Sequence, residues 1–198
     1  MAIIVDKVQK RKDIALACKE IFFLHGIKDL TISQIAKAAG VGKGTIYDYF
    51  KNKEDIVFEI VNILIGERNS VVEAEIDKID SAKDKIKHFA RFFYIDEDIE
   101  LRQLYKEFIS IALTSPDENM IAFQTKCFDH QYAWFEKIIE DAIANGEVIE
   151  HARKLIRGMF VTAEGMFIAS ASTNSIASVK DELDCYTDAL FELIEVKR

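Results

Sequence analysis

Proline and cysteine are scarce in this sequence. The 198 residues include a single proline, Pro116, and three cysteines, Cys18, Cys127 and Cys185, which lie far apart. An odd number of dispersed thiols does not form the disulfide framework of a small secreted protein, so we expect reduced cysteines and a cytoplasmic location. The scarcity of proline removes a common interruption of helices and is compatible with long helical segments.

Long apolar runs and strand-like alternation are missing as well. The longest apolar stretches, residues 60–65 and 158–171, are broken by Asn62 and Glu164, and the N-terminus lacks the apolar segment of a signal peptide. We therefore expect neither a membrane span nor a secreted protein. Because no stretch of useful length alternates apolar and polar residues, the pattern excludes a predominantly β fold.

Charge is distributed unevenly along the chain. The net charge of −8 argues by itself against a nucleic-acid ligand. Residues 1–53, however, hold ten basic and five acidic residues, a net of +5, while the remaining 16 basic and 29 acidic residues give −13. A basic head on an acidic body is the asymmetry expected when only the head meets a polyanion.

Apolar residues recur at intervals of three and four along most of the chain, which is typical of α-helices. The sequence predicts an all-α fold of nine helices, at about residues 8–25, 32–39, 43–50, 53–79, 82–94, 99–113, 116–145, 152–172 and 176–196. Gly26, Gly40 and Gly146 are expected to end helices. Ser115 and Pro116 are expected to supply an N-cap and a first-turn proline.

The second and third predicted helices are short and are separated by a glycine-rich turn. Three of the eight glycines fall within residues 40–44. Thr31 and Gln34 have the spacing of a capping box at the start of the second helix, and Gly40 is expected to end it in a left-handed conformation. A tight turn between two short, angled helices is the helix-turn-helix unit.

The outward side of the third predicted helix carries Lys43, Thr45, Tyr47 and Tyr49. Glycines at 42 and 44 leave the helix N-terminus without bulk, so its free N–H groups can approach a phosphate. Lys43 can reach a guanine edge or a phosphate, and Thr45 and Tyr47 suit contacts with phosphates or thymine methyl groups. The alternative is that both tyrosines pack on neighbouring helices, which leaves the lysines and glycines unexplained.

The segment GIKDLTISQIAKAAGVGKGTIYDYFKNKEDI, residues 26–56, resembles the TetR/AcrR family of bacterial transcriptional repressors. The likeness covers roughly the first 60 residues. It lies in a glycine after the first helix, a threonine cap, and the motifs Ile-Ala, Gly-Val, Lys-Gly-Thr-hydrophobic-Tyr and Tyr-Phe-Lys-Asn-Lys-Glu. The resemblance implies a three-helix DNA-binding head, residues 1–53, and a helical ligand-binding and dimerisation body, residues 54–198.

By position, the resemblance implies DNA contacts at Thr31, Ser33, Lys43, Gly44, Thr45, Tyr47, Tyr49 and Lys53. It also implies a homodimer formed through the last two helices, a palindromic operator, and a repressor that is released by a small-molecule effector. Gly42 stands where the family often has serine. Ser33 is short at a position that reads bases in some members, so the operator sequence is left open.

Aromatic residues concentrate in the body, where core packing is expected to account for most of them. The candidate ligand-binding residues are Phe92, Phe93, Tyr105, Phe128, Tyr132, Phe160, Glu164 and Phe167. Glu164 lies in the most apolar helix, so its carboxylate should be hydrogen-bonded, ion-paired or ligand-facing. The alternative partners of the Glu164 carboxylate are Arg157, a polar contact in a dimer interface, and a cationic effector. A hydrophobic effector also stays open.

Metal binding and catalysis find little support in the sequence. Cys127 and His130 share a helix face at a spacing compatible with metal, but His88 would have to come from another helix, and a buried thiol beside a polar histidine is the simpler account. We expect no metal, no cofactor and no catalytic residue. Two alternatives stay open: a helical enzyme that uses the aromatic pocket around Glu164, and a head that contacts protein instead of DNA.

Overall fold

The computed structural model describes residues 6–114 and 118–197. These residues form ten α-helices: α1 (Lys7–Ala17), α2 (Lys19–His25), α3 (Ile32–Ala38), α4 (Lys43–Tyr49), α5 (Lys53–Ile76), α6 (Ala82–Ala90), α7 (Ile99–Thr114), α8 (Glu118–Ala144), α9 (Ile156–Ser172) and α10 (Val179–Ile194). Short 3₁₀ turns lie at Arg91–Phe93, Asp96–Asp98 and Glu150–Lys154. The predicted all-α class is confirmed. The predicted N-cap and proline at 115–116 lie outside the described residues.

The first predicted helix is divided in two by Cys18. The amide of Cys18 donates to the carbonyls of Ile14 and Ala15, so the last turn of α1 tightens before α2 begins. The thiol is fully buried, with its Sγ 3.9 Å from the carbonyl oxygen of Ile35. Burial raises the pKa of Cys18 to about 11, because a thiolate loses its hydration there.

The fifth and ninth predicted helices end earlier than expected because side-chain and backbone donors elsewhere compete for their carbonyls or their following amides. Residues 91–94 leave α6 where Arg102 Nη1 donates to the carbonyls of Phe92, at 2.9 Å, and Ile95. The last helix stops at Ile194 because the amide of Val196 donates to the carbonyl of Glu147 at 2.9 Å. Arg102 lies on the next α-helix and Glu147 lies far from Val196 in the sequence, and helical periodicity reports neither contact.

The chain divides into two compact units. The first contains Met1–Asn69 with Gln103–Phe123, and the second contains Ser70–Arg102 with Gln124–Arg198. This division groups residues by their packing and places part of α7 with the head residues. The predicted functional boundary at residue 53 stays a prediction.

The core of the first unit joins α1 to α5. Its largest fully buried side chains include Phe22, Ile35, Ile46, Phe50 and Ile56. A second set of contacts in this unit is aromatic: the rings of Phe58, Phe108 and Phe123 lie 4.5–5.9 Å apart between centroids. The short helices therefore pack on a continuous apolar interior that α5 extends.

The core of the second unit is centred on one ring, that of Phe160 on α9. Its centroid lies 5.0–6.3 Å from the rings of Phe89, Phe128, Tyr132 and Phe135, mostly in edge-to-face geometry. Edge-to-face pairs add favourable quadrupole interactions to the burial of apolar area. Helices α6, α8 and α9 are therefore held together by aromatic packing.

Gly40 makes the turn between α3 and α4 possible. Its φ of 65° is left-handed, and the amides of Gly40 and Val41 donate to the carbonyls of Lys37 and Ala36 at 3.2 and 3.0 Å. This is a Schellman motif, which satisfies the last carbonyls of a helix only when the left-handed residue is tolerated. The predicted left-handed end at Gly40 is confirmed.

Gly40→Ala should lower the free energy of unfolding by about 1 kcal/mol, because an alanine Cβ is strained at this φ. Gly44→Ala is the matched control. Gly44 lies within α4 with open space around it, so alanine there should raise stability by about 0.5–1 kcal/mol. Urea unfolding of the two variants checks this, and equal shifts would contradict the assigned role of the turn.

Candidate nucleic-acid interface and ligand cavity

The start of α3 is fixed by a capping box. The Thr31 hydroxyl accepts from the amide of Gln34, and the Gln34 side-chain oxygen accepts from the Thr31 amide at 3.0 Å. The Thr31 hydroxyl also donates to that oxygen at 2.7 Å. The capping box expected from the sequence is confirmed, and both Thr31 and Ser33 are exposed at this helix start.

Helix α4 is buried on one side and open on the other. Ile46 and Phe50 are buried against the core, as are Ile35 and Ala36 on α3. Lys43, Gly44 and Tyr47 are exposed, whereas Thr45 and Tyr49 are half-buried. Tyr47 is 55% exposed, which a ring packed on a neighbouring helix would not be. Of the predicted outward face, Lys43 and Tyr47 are therefore accessible, whereas Thr45 and Tyr49 are only partly so.

The N-terminus of α4 begins at Gly42, which has an extended backbone and no side chain to cap the helix. Helix N-termini leave backbone N–H groups without intrahelical acceptors. Exposed Lys43 and Gly44 occupy the first turn, so this end combines a lysine charge with accessible backbone donors. The combination suits a phosphate oxygen.

Arg11 on α1 holds the other end of α4, and the sequence reasoning missed it. Its Nε donates to Glu59 at 2.9 Å, its Nη2 donates to Asp55 at 2.8 Å, and its Nη1 donates to the carbonyl of Tyr49. The guanidinium carbon also lies 4.2 Å from the centroid of the Phe50 ring. Burial alone would lower the pKa of Arg11, but its hydrogen bonds to both carboxylates and their negative charges outweigh burial and raise the pKa.

Lys53 is placed differently from the other predicted DNA contacts. It is half-buried, and its Nζ donates to the carbonyls of Lys28 at 2.7 Å and Leu30 at 3.2 Å. The start of α5 is capped by Asn52, whose Oδ1 accepts from the amide of Asp55 at 2.8 Å. In this structure Lys53 therefore ties the loop before α3 to α5.

Helix α7 contributes two polar contacts to the first unit that sequence reasoning also missed. Glu107 Oε2 accepts from the amide of Ile27 at 3.0 Å, and Gln103 donates to the carbonyl of Phe23 at 3.3 Å. Gly26 has a φ of 70°, and a Cβ there would lie 3.3 Å from both carboxylate oxygens of Glu107. The segment after α2 is therefore fitted closely to α7.

The second unit contains a narrow apolar cavity of about 30 Å³. It is lined by Ile86, Phe89, Ala90, Phe93, Phe135, Met159, Phe160, Ala163, Leu183, Tyr186 and Thr187. About 10–15 Å³ is needed to hold one water, so this space is too small for a drug-sized molecule without movement of its walls.

The structure places the predicted ligand-binding residues in different surroundings. Phe93 and Phe160 line the cavity; Phe92 and Phe167 pack on the ring of Phe93, at 5.2 and 5.5 Å between centroids. Phe128 and Tyr132 contact Phe160, Glu164 is half-buried on α9, and Tyr105 belongs to the first unit. Their role in ligand binding stays a prediction.

Arg157, considered as a partner of Glu164, instead lies with its guanidinium carbon 4.3 Å from the centroid of the Tyr132 ring. The Tyr132 hydroxyl donates to Glu136 at 3.1 Å. Burial is the largest of the effects that raise the pKa of Tyr132, and its hydrogen bond to Glu136 adds to it. Tyr132 is therefore neutral at pH 7.

Histidine and cysteine side chains do not gather into a ligand set. His88 Nε2 lies 2.9 Å from Glu75 Oε2, and His130 is exposed. Burial raises the pKa of the half-buried Cys127. Among residues 6–114 and 118–197, no three histidine, cysteine, aspartate or glutamate side chains are arranged to hold a metal ion. Nor does any described helix combine the length and apolarity that crossing a bilayer requires.

Residues 14–60, which contain the α3–α4 pair, match the family model of the bacterial regulatory proteins of the tetR family. The matched segment, together with the relatives and the solved structure described below, supports a TetR-family regulator. The family and the relatives below are transcriptional regulators and not enzymes, which supports a DNA-binding transcriptional regulator.

Two relatives from Bacillus subtilis (strain 168) extend the similarity beyond the head. The chain is 28% identical over 187 residues to the HTH-type transcriptional regulator YvdT. This alignment covers 88% of this chain and 91% of YvdT. The chain is 36% identical over 107 residues to the fatty acid metabolism regulator protein. This alignment covers 49% of this chain and 55% of that protein.

The fold is similar to that of a solved transcriptional regulator. The crystal structure of the transcriptional regulator FadR from Bacillus subtilis in complex with stearoyl-CoA aligns with a TM-score of 0.63 and 24% identity. The alignment covers 91% of this chain and 95% of that chain. The likeness supports the nine-helix TetR-like fold, with α1 and α2 together in the place of the first helix.

Lys43→Ala and Tyr47→Ala should each weaken duplex DNA binding by about 1–3 kcal/mol, because each removes a side chain that faces outward from α4. Fluorescence anisotropy with a labelled duplex measures this. Lys137→Ala, which removes an exposed lysine charge in the second unit, should have no effect. Wild-type affinity in both α4 variants, with helicity unchanged, would contradict the site.

Proposed function

We propose that this TetR-family regulator is a homodimeric repressor in the cytoplasm that binds a palindromic operator and leaves it when a fatty-acyl effector binds. The observation that carries the proposal is the division of α4 into a buried side at Ile46 and Phe50 and an open side at Lys43 and Tyr47. A helix with this exposure can enter a major groove about 12 Å wide.

In this proposal α4 reads the operator. Lys43 and the first-turn amides contact a phosphate or guanine edge, while Thr45, Tyr47 and Tyr49 contact phosphates and thymine methyl groups. Thr31 and Ser33, at the exposed start of α3, lie against the backbone of the strand. Lys53 holds the loop before α3 through two carbonyls, and its remaining N–H donor is available to a phosphate.

The lining of the cavity and the relatives support one effector class. Only Tyr186 and Thr187 contribute polar side chains to the lining, which favours an aliphatic chain over a cationic amine. One relative is a fatty acid metabolism regulator protein, and FadR was crystallised with stearoyl-CoA. Both support a long-chain acyl thioester as the effector.

A cavity of about 30 Å³ has to open before an acyl chain enters it. Ligand binding that moves walls is coupled to any equilibrium in which those walls take part. We propose that α5 and α7 carry this coupling. Helix α7 carries Arg102, which holds the carbonyls of Phe92 and Ile95 next to Phe93, and also Glu107, which holds the amide of Ile27.

The whole proposal is tested by selecting an operator from random duplexes with the purified protein and then titrating the complex with palmitoyl-CoA. The selected duplexes should contain an inverted repeat, and palmitoyl-CoA should release the protein while free coenzyme A does not. Selection of unrelated duplexes would contradict operator binding. Release by free coenzyme A at the same concentration would contradict the acyl effector.

Ala163→Leu should abolish release by palmitoyl-CoA without weakening operator binding, because the added methyl groups fill the cavity that the acyl chain would enter. Ala133→Leu, an exposed helical position on α8, is the matched control and should respond like the wild type. The release curves of the three proteins give the measurement. An unchanged response in Ala163→Leu would place the effector elsewhere.

The dimer is proposed to form through α9 and α10. Val161, Ile168 and Leu193 are exposed apolar side chains on these helices, and Leu193 is 76% exposed. Glycines at 158 and 165 are also exposed on α9, and residues without bulky side chains allow two helices to approach closely. Burial of this surface against a second copy would remove apolar area from water.

Leu193→Arg should convert the dimer into a monomer, because it places a charge in the proposed interface. Native mass spectrometry measures the result, and operator affinity should fall because one head alone contacts one half-site. Leu113→Arg, at a residue that is 79% exposed in the first unit, should stay dimeric. A dimeric Leu193→Arg variant would contradict this interface.

A further inference from the structure

The C-terminal end of α4 is held by a group that lies on a different helix and has no place in the proposed contacts with DNA. Arg11 donates to the carbonyl of Tyr49 with Nη1, to Asp55 with Nη2 and to Glu59 with Nε, and its guanidinium stacks on Phe50. The three partners and the ring come from α4 and α5. A single side chain on α1 therefore joins three helices at one point.

This arrangement addresses a weakness of α4. A helix of seven residues has few internal hydrogen bonds, and its last carbonyls lack intrahelical partners. The planar fork of arginine bonds a carbonyl and two carboxylates through three separate nitrogens. The three donors of a lysine share one nitrogen and cannot span the same three positions. The contact fixes where the helix ends and therefore how its outward side chains are aimed.

The surroundings of Arg11 make it a poor phosphate ligand. Two carboxylates, Asp55 and Glu59, lie within 3 Å of its nitrogens and outweigh its single positive charge. The side chain is only 28% exposed. A phosphate that approached it would meet a net negative cluster. Its influence on DNA binding therefore has to pass through the position of α4.

We propose that Arg11 is a positioning residue for operator recognition, which aims α4 by holding the Tyr49 carbonyl and the Phe50 ring against α5. The inference rests on the proposed placement of α4 in the operator. The proposal distinguishes two properties of the protein. Exposed lysines supply the affinity for any duplex, whereas the preference for the operator depends on the orientation of α4.

The test compares Arg11→Lys with the wild type on the selected operator and on an unrelated duplex of equal length, at several salt concentrations. Arg11→Lys keeps the charge but not the fork, so operator affinity should fall about tenfold while affinity for the unrelated duplex changes by less than about twofold. The dependence of affinity on salt should stay as in the wild type, because no phosphate contact is lost.

Other outcomes overturn the inference. An unchanged ratio of operator to unrelated binding would leave Arg11 with a purely structural role, since partial unfolding lowers both affinities alike. If the slope of log affinity against log salt concentration fell by about one and both duplexes were weakened equally, Arg11 would be a direct phosphate ligand. A wild type that selects no operator would contradict the proposed function instead.

Two further variants guard against a trivial loss of folding. Glu59→Gln removes the charge of one anchor of the guanidinium and should lower the operator ratio in the same direction by a smaller factor, even if Arg11→Lys unfolds the head. Arg153→Lys is the matched control, because Arg153 also bonds two carboxylates, Glu140 and Glu150, but lies in the second unit. It should leave both affinities unchanged, and an equal effect there would overturn the assignment.

Discussion

Helices of seven residues are not stable alone in water, and α3 and α4 are both of this length. The outward face of α4 therefore exists only because its inner face and both of its ends are held. Ile46 and Phe50 bury the inner face, the Gly40 turn fixes the approach from α3, and Arg11 holds the far end. Among the side chains proposed to contact DNA, Thr45 is short and Tyr47 is rigid, so their positions are set by the helix that carries them.

The N-terminal part of the sequence is distinguished by its charge, and the second unit by its aromatic packing. The net +5 of residues 1–53 favours approach to a polyanion, and the −13 of the remainder disfavours it. In the second unit, rings grouped around Phe160 leave a cavity of about 30 Å³, so a ligand there must displace packed side chains. Tight packing of this kind resists small deformations and changes between discrete arrangements instead. A local change can therefore shift the equilibrium between two conformations of the protein. Coupling between effector and operator would then be reciprocal.

Local chemistry made much of this molecule predictable. The capping box at Thr31, the left-handed Gly40 and the exposure of Lys43 and Tyr47 depend on residues close in sequence, and all agree with expectation. The contacts that were missed join distant parts of the chain: Arg11 with Glu59, and Glu107 with Ile27. The cavity was harder still. Aromatic residues indicated a ligand site, but periodicity does not distinguish a ring that lines a space, such as Phe93, from one that only packs behind it.

The most direct test of the account is methylation protection of guanine N7, an atom that lies in the major groove, in the complex of the wild-type protein with its selected operator. If α4 lies in the major groove of each half-site, guanines in both half-sites should be protected, with centres separated by about one helical turn or a multiple of it. Protection confined to adenine N3 in the minor groove, or guanines that stay fully reactive in a saturated complex, would contradict it.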